Sequence, residues 1–356
     1  MKPLTIILYP FSMLYAGILW LRHELYNRGI IKSHKGAVPT IVVGNLNLGG
    51  TGKTPHALMF SNFIKKNYDL ALLSRGYGRK SKGFFKVDEK GEPSQFGDEP
   101  LLLRSNLPDV PVFVCENRVE GIHQIAQLLP QTEIVLLDDA YQHRALRGDI
   151  QVLLTDFHQP FFKDYLVPAG NLRDIKSRWK AADIIFVTKS PQELTENQKL
   201  EWLSKFPELS SKPIFFTYLV YGSPRSVYSD ELLSFKPNFV YGLSGLANNE
   251  PFKKYLETSF SLKKFKSYGD HHHFSGQDVT ALQSEFGTFA DPFDVVLMTE
   301  KDAVKWKKLQ EARDLPLYYV PIEIRVHEDK GKNWEEVLSD LLKKIKKKKH
   351  SEQRLR

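Results

Sequence analysis

Cysteine is almost absent: Cys115 stands alone among 356 residues. One thiol can neither close an internal disulfide nor build a multi-cysteine zinc site, so a disulfide scaffold and a zinc finger are excluded, and a reducing compartment is the default. No internal repeat is found, which argues against a solenoid. No small-residue cleavage site follows the apolar N-terminal stretch, which argues against a removable signal peptide. Formal charge is missing from Pro3 to Leu21, a run of nineteen residues. The chain does not lack apolar residues: they make up 42%, enough for a sizeable core, so wholesale disorder is also excluded. The length fits one large or two ordinary domains.

The net charge of +8 raises the question of a nucleic-acid partner. Residues 341–356 hold eight Lys and Arg against one Glu, and residues 1–35 hold five against one. The body between them therefore bears a net charge of −3. A nucleic-acid-binding domain more often carries its charge as a stripe across the folded body, so no specific nucleic-acid partner is expected. No feature calls for a protein partner.

The uncharged stretch PLTIILYPFSMLYAGILWL has three readings: a helix lying in a membrane interface, a single span, or an ordinary first helix. Trp20 beside Arg22 favours the first, because an indole sits well at headgroup depth. From Pro39 the texture changes. Short β-branched runs at 40–44, 70–74, 110–114, 133–139, 150–156, 183–189 and 294–302 read as buried strands, with helical stretches between them. This alternation predicts an α/β fold with a mostly parallel sheet flanked by helices. The β-rich stretch 211–237 reads as a hairpin linking two lobes. The expected division is an interfacial region at 1–35, a nucleotide-binding core at 36–210, that linker, a second smaller α/β lobe at 238–340, and a basic tail at 341–356.

The strongest local signal lies between the strand at 40–44 and the helix after it. Asn47, Leu48, Gly49, Gly50, Thr51, Gly52, Lys53 and Thr54 form a glycine-rich loop whose backbone N–H groups can cradle phosphate at a helix N-terminus. In such a P-loop, Lys53 reaches the β- and γ-phosphates of ATP and the Thr54 hydroxyl serves Mg²⁺. Asn47 stands where the usual first glycine falls. Asp138 and Asp139 end an apolar strand, where a carboxylate can hold the metal's water shell. Asp98, in FGDEP, reads by itself as a helix cap. The run Asp270-His271-His272-His273 is too compact for three ligands of one metal and reads better as one functional histidine oriented by its neighbour.

Taken together, VGNLNLGGTGKTP (43–55), LSRGYGR (73–79), GDEP (97–100), LDDAYQHRAL (137–146), PAGNLRD (168–174), DHHHF (270–274) and MTEKDAVK (298–305) resemble the tetraacyldisaccharide 4′-kinases of lipid A synthesis. The resemblance runs from about residue 3 to about residue 325. It implies a P-loop NTPase-like fold and ATP- and Mg²⁺-dependent phosphorylation of the 4′-hydroxyl of a tetraacyl glucosamine disaccharide 1-phosphate. It also implies a peripheral enzyme seated on the lipid surface at the cytoplasmic face of the inner membrane. Carried over residue by residue, it makes Asp98 the base and His271 its helper, with His272 as the fallback. Arg75, His143, Asn171 and Arg173 become candidates for the substrate headgroup, Arg being suited to bidentate phosphate contact. Two alternatives stay open on the residues alone: another membrane-associated P-loop kinase or NTPase, and a non-enzymatic, nucleotide-dependent membrane scaffold.

Overall fold

The computed structural model describes residues 3–270, 272–287, 291–328, 331 and 333–354, and their side chains from 5 to 347. In chain order the first half comprises helix α1 (Pro3–Asn27), strands β1 (His34–Lys35) and β2 (Thr40–Asn45), α2 (Lys53–Ile64), β3 (Leu70–Ser74), β4 (Phe85–Lys86), α3 (Pro93–Phe96), α4 (Asp98–Asn106), β5 (Val112–Val114), α5 (Arg118–Leu128), β6 (Ile134–Asp138), β7 (Leu146–Arg147) and β8 (Ile150–Asp156). There follow β9 (Ile184–Thr188), α6 (Glu196–Ser204), β10 (Ile214–Tyr221), β11 (Arg225–Ser226), β12 (Val240–Ser244), α7 (Glu250–Ser259), β13 (Leu262–Ser267), α8 (Gly276–Gly287), β14 (Val295–Thr299), α9 (Glu300–Trp306), β15 (Leu317–Val320), β16 (Ile322–Val326) and α10 (Trp334–Arg354).

Nine strands form the main sheet in the order β16-β10-β9-β8-β2-β6-β3-β5-β4. The seven inner strands are parallel, and β16 and β4 close the two edges antiparallel. Helices cover both faces, so both sides of β2, β3, β5, β6 and β9 are buried. In β2, Ile41 and Val43 face the core beneath α2 and α10, while Val42 faces the core beneath α5. A strand buried on both faces reads as a continuous apolar run, which is why these strands stand out in the sequence. The neighbours of β2 on its two sides, β6 and β8, come later in the chain, so β2 lies at the reversal point of the topology. Ligands of open α/β sheets collect just beyond the strand ends at such a point. A second sheet of five strands, in the order β11-β15-β14-β12-β13, packs its own helices α7, α8 and α9.

The expected division of the chain needs correction in three places. Residues 211–237 are not a hairpin: β10 pairs with β9 and β16 in the main sheet, whereas β11 pairs with β15 in the second. The second lobe, expected to run to 340, ends at Pro321, where the chain passes from β15 of the second sheet to β16 of the first. The two crossings lie side by side, and Gly222 N–H donates to the Pro321 carbonyl at 2.8 Å. The basic C-terminus does not begin as a tail at 341, because α10 continues to Arg354 and buries Leu338 and Leu342 in the main core. Lys346 in that stretch pairs with Glu133 at 2.7 Å and lies over the Tyr68 ring. These are long-range pairings, and alternation along the chain does not encode them.

The apolar N-terminal stretch is one helix, α1, long and apolar enough by length and composition to cross a membrane. Ile7, Phe11, Leu14, Ile18 and Leu21 recur at helical spacing and are exposed. Ser12, Leu19 and His23 lie on the other face and are buried. That buried face docks on the loops beside the P-loop.

Candidate active site

The P-loop is shaped by its glycines and braced from outside. Gly49 and Gly52 take left-handed φ of 95° and 79°, which a side chain would resist. Nothing lies within 4 Å of where a Cβ would sit on Gly49 or Gly50, so the loop's inner face is open for a ligand's approach. The segment 164–173 supports the loop. The Asn47 amide donates to Asp164 at 3.0 Å, Leu48 N–H donates to the Asn171 carbonyl at 2.6 Å, and Arg173 N–H donates to the Leu46 carbonyl at 2.9 Å. Asn171 thus supports the loop through its main chain while its side chain is exposed. Asn47, where a glycine was expected, is a strut.

His56, on the first turn of α2, holds the loop from below. Only an N–H can bond a carbonyl, so Nδ1 carries the proton donated to Gly52 O at 2.7 Å, and Nε2 accepts from the Thr217 hydroxyl at 3.0 Å. Full burial lowers the pKa of this imidazole to about 4.

Across the loop stands the end of β6, and its two carboxylates differ. Asp139 adopts φ 48° and is gripped by both guanidinium nitrogens of Arg173, the longer contact being 3.1 Å. Lys53 Nζ lies 3.8 Å from the same carboxylate. Burial raises the Asp139 pKa, but the Arg173 hydrogen bond and the charges of Lys53 and Arg118 outweigh it and hold the carboxyl below its usual range. Arg173 also donates to the Asn45 amide oxygen at 2.5 Å, and Asn45 donates to Thr51 at 2.8 Å, so one guanidinium ties β6 to the P-loop. Asp138 is buried, and neither of its oxygens has a hydrogen-bond partner among the described residues. Burial, then the charges of Glu99 and Asp139, push its carboxyl up to about 8. Of the two carboxylates expected at the metal, Asp138 is therefore the one with oxygens to offer. The described residues contain no cluster of three His, Cys, Asp or Glu that could hold a metal alone.

A basic group borders this carboxylate pair. Arg118, at the start of α5, is buried and donates to the Asp139 carbonyl at 3.3 Å and to the Glu116 carbonyl at 2.8 Å. Burial and the neighbouring Arg75 lower its pKa to about 10. His143 lies in the same field and is lowered to about 4 by burial, then by Arg118, Arg22 and Arg75, so it is neutral near pH 7. Arg75 and His143, named from the sequence, are therefore brought to one place, and Arg118 joins them. The available sign of Arg118 was its place just beyond a parallel strand.

Asp98 does not cap α4. Gly97 is the cap residue and Asp98 the first helical one. Gly97 has φ 89°, and a Cβ there would lie 2.8 Å from the Tyr77 carbonyl, so RGYG (75–78) and GDEP (97–100) touch through a contact that only glycine allows. The Asp98 carboxylate pairs at 2.7 Å with Lys305 of α9, and both are buried. His271 lies outside the described residues. Its neighbours are described: Lys305 also donates to the His272 carbonyl at 3.0 Å, so the loop carrying the histidines reaches Asp98 through one ammonium. The His272 ring lies 3.3 Å from Asp278 and packs on Tyr268 and Phe274. Asp270, expected to orient a histidine, pairs with Lys301 at 3.0 Å. Lys301 and Lys305 belong to a block already noticed in the sequence, but only the fold reveals what they hold.

The docked face of α1 closes the arrangement. Ser12 donates to the Leu166 carbonyl at 2.8 Å and accepts from Ala169 N–H at 3.0 Å. Arg144 donates to His23 Nδ1, so Nε2 carries the proton and donates to the buried Asp174 at 2.5 Å.

A glycine-rich loop between a central parallel strand and a helix, facing an acidic strand end, defines a P-loop nucleotide-binding protein of α/β architecture. The family model described as tetraacyldisaccharide-1-P 4′-kinase (LpxK) matches residues 4–343. The tetraacyldisaccharide 4′-kinase of Flavobacterium johnsoniae is 37% identical over 328 residues, covering 91% of this chain and 93% of its own. That of Cytophaga hutchinsonii is 36% identical over 335 residues, covering 92% and 93%. A crystal structure of LpxK from Aquifex aeolicus in complex with ATP superposes with a TM-score of 0.75 at 29% identity, covering 95% of this chain and 99% of that one. The chain belongs to the tetraacyldisaccharide 4′-kinase family, and it is a kinase of lipid A biosynthesis.

Proposed function

We propose that the protein transfers the γ-phosphate of ATP to the 4′-hydroxyl of a tetraacyl glucosamine disaccharide 1-phosphate, working as a peripheral enzyme at the cytoplasmic face of the inner membrane. The observation that carries this reading is a run of direct contacts. The helix with an exposed apolar face is bonded to the segment 164–174, and that segment is bonded to the P-loop. A lipid-facing element and a nucleotide-facing element thus share one support, as a kinase acting on a membrane-embedded acceptor requires.

Phosphoryl transfer needs positioning and charge neutralisation more than covalent chemistry. The P-loop amides and Lys53 receive the β- and γ-phosphates. Asp138 and Thr54 would hold Mg²⁺, which would supply positive charge to offset that of the phosphates. Asp139 fixes Lys53 and Arg173 on the nucleotide side. Asp98 accepts the proton of the attacking sugar hydroxyl, and His271 assists it. Arg75, Arg118 and His143 receive the anionic part of the acceptor, Arg118 by virtue of its buried charge.

The test is transfer of labelled phosphate from ATP to the disaccharide 1-phosphate in mixed micelles, wild type against Asp98→Ala. Transfer by the wild type, abolished in the variant while ATP binding persists, is the expected result. Near-normal transfer by the variant refutes the base, and no transfer by the wild type refutes the substrate.

A further inference from the structure

We propose that Lys301 and Lys305 are positioning residues: a two-lysine clamp on α9 that holds Asp270 and His272, the chain neighbours of His271, in fixed relation to Asp98. The inference rests on the reading of Asp98 and His271 as the catalytic pair. It goes beyond that reading by saying what ties the chain neighbours of His271 to Asp98 across about 170 positions of sequence.

Residues four apart on a helix lie on one face, so Lys301 and Lys305 point the same way. Lys301 bonds the Asp270 carboxylate at 3.0 Å, and Lys305 bonds the His272 carbonyl at 3.0 Å. The two grips therefore bracket residue 271, one on each chain neighbour. Lys305 then uses the same ammonium on Asp98 at 2.7 Å. A single nitrogen thereby fixes the first sheet's carboxylate and the second sheet's loop relative to each other. Lysine suits this task because its ammonium offers three donors from one point, whereas a guanidinium spreads its donors in a plane.

The clamp is anchored at its base. Thr299 Oγ accepts from Asp302 N–H at 3.3 Å and donates to the Asp302 carboxylate at 2.6 Å, which caps α9. The Asp302 carboxylate also takes Gly245 N–H at 2.9 Å, tying α9 to the end of β12. At the far end of α4 the Asn106 amide donates to Glu300 at 2.7 Å. α4 and α9 thus run antiparallel, joined at both ends: residue 98 to 305, and residue 106 to 300. Burial of the Asp98–Lys305 pair argues for function over stability, since a desolvated ion pair is weak support for a fold and an apolar pair of similar size would serve as well.

The experiment uses the full chain, with labelled-phosphate transfer, ATP binding and thermal melting measured on Lys305→Met, Lys305→Arg and Lys301→Met, each alone and with His271→Ala. Misplacement of a catalytic group by an ångström costs about a hundredfold, so Lys305→Met should lower kcat by about that factor. The KM for ATP should change by no more than about threefold, since the bonds of Lys305 run to Asp98 and the His272 carbonyl. Lys305→Arg, which keeps the charge, should recover kcat to within about tenfold of wild type. Lys301→Met should lower kcat by about tenfold alone and by less than about twofold in the His271→Ala background, because a residue acting only through His271 has nothing left to position. A structural defect would be additive. The proposal is overturned if Lys305→Met keeps kcat within threefold of wild type, if the Lys301 loss persists in full without His271, or if the losses fall on the ATP KM. Should Lys305→Met fail to fold, Lys305→Arg and the Lys301 pair decide alone. A wild type inactive on the disaccharide removes the functional reading, whereas an active wild type indifferent to these substitutions removes only the clamp.

Discussion

Arg173 illustrates how much one side chain can organise. It grips Asp139 with two nitrogens, reaches Asn45, and through its own N–H fixes Leu46. Lysine keeps the charge but cannot make the planar, two-pronged contact. Arg173→Lys is expected to raise the KM for ATP and lower kcat, together costing about a hundredfold in kcat/KM, or about 2.7 kcal/mol, with little change in melting temperature. Steady-state kinetics at fixed lipid acceptor will check this, and an unchanged kcat/KM would count against Arg173 as the organiser of the β6 end.

His56 gives a pH signature of the same scale. Its folded pKa, about 4, lies below the unfolded value of 6.5. Between these values the unfolded chain binds the extra proton, so stability contributed by the neutral imidazole is present above about pH 6.5 and is lost as pH falls towards 4. Wild type should lose about 2–3 kcal/mol through this group between about pH 7.5 and 4.5, and His56→Gln should lose correspondingly less. Denaturant unfolding of both proteins at each pH measures the difference; parallel curves would show that His56 is not buried and neutral.

At the scale of the element, α1 separates its two jobs by face. The stripe of Ile7, Phe11, Leu14 and Ile18 is exposed and would meet lipid in the proposed seating, and the opposite face is bonded to the body through Ser12 and His23. Charge on the stripe should therefore disturb membrane binding and not folding. Ile7→Glu with Leu14→Glu should lower partition into anionic vesicles in a flotation assay, each charge opposing burial of apolar surface at about 25 cal/mol per Å². Melting temperature should hold. His23→Ala makes the opposite prediction: the buried Asp174 loses its side-chain hydrogen bond to His23, and stability should fall by about 1–3 kcal/mol, read from denaturant unfolding. If both variants float and melt like the wild type, the division of faces is wrong.

At the scale of the whole molecule, the chain leaves the main sheet after β10 and returns with β16 and α10. The second sheet is therefore an excursion from the first. Val337, Leu338 and Leu342 of α10 complete the core that also contains Phe60 and Phe186. Removing residues from 328 onward should expose these aromatics and give an insoluble or molten product, whereas removing residues from 348 onward should leave a cooperative thermal transition. A well-folded short form would contradict the role of α10 as part of the core. The same return path explains how α9, on the excursion, comes to hold Asp98 of the main sheet.

The sequence by itself determined the local features. The strand at 40–44 and the loop after it were legible because an apolar β-branched run, a cluster of glycines and a helix start are dictated by neighbours within a few positions. The paired carboxylates were legible for the same reason, as was the uncharged helix at the N-terminus. The sequence did not reveal that Asp138 and Asp139 differ, because their difference lies in what surrounds them: the Arg173 hydrogen bonds for one, burial with no hydrogen-bond partner among the described residues for the other. Nor did it reveal that Asp98 meets Lys305, that Asn47 braces the loop from outside, or that 315–322 is split between two sheets. These contacts join residues far apart in the chain. They are set by which faces must be buried together, a condition that only the assembled core imposes.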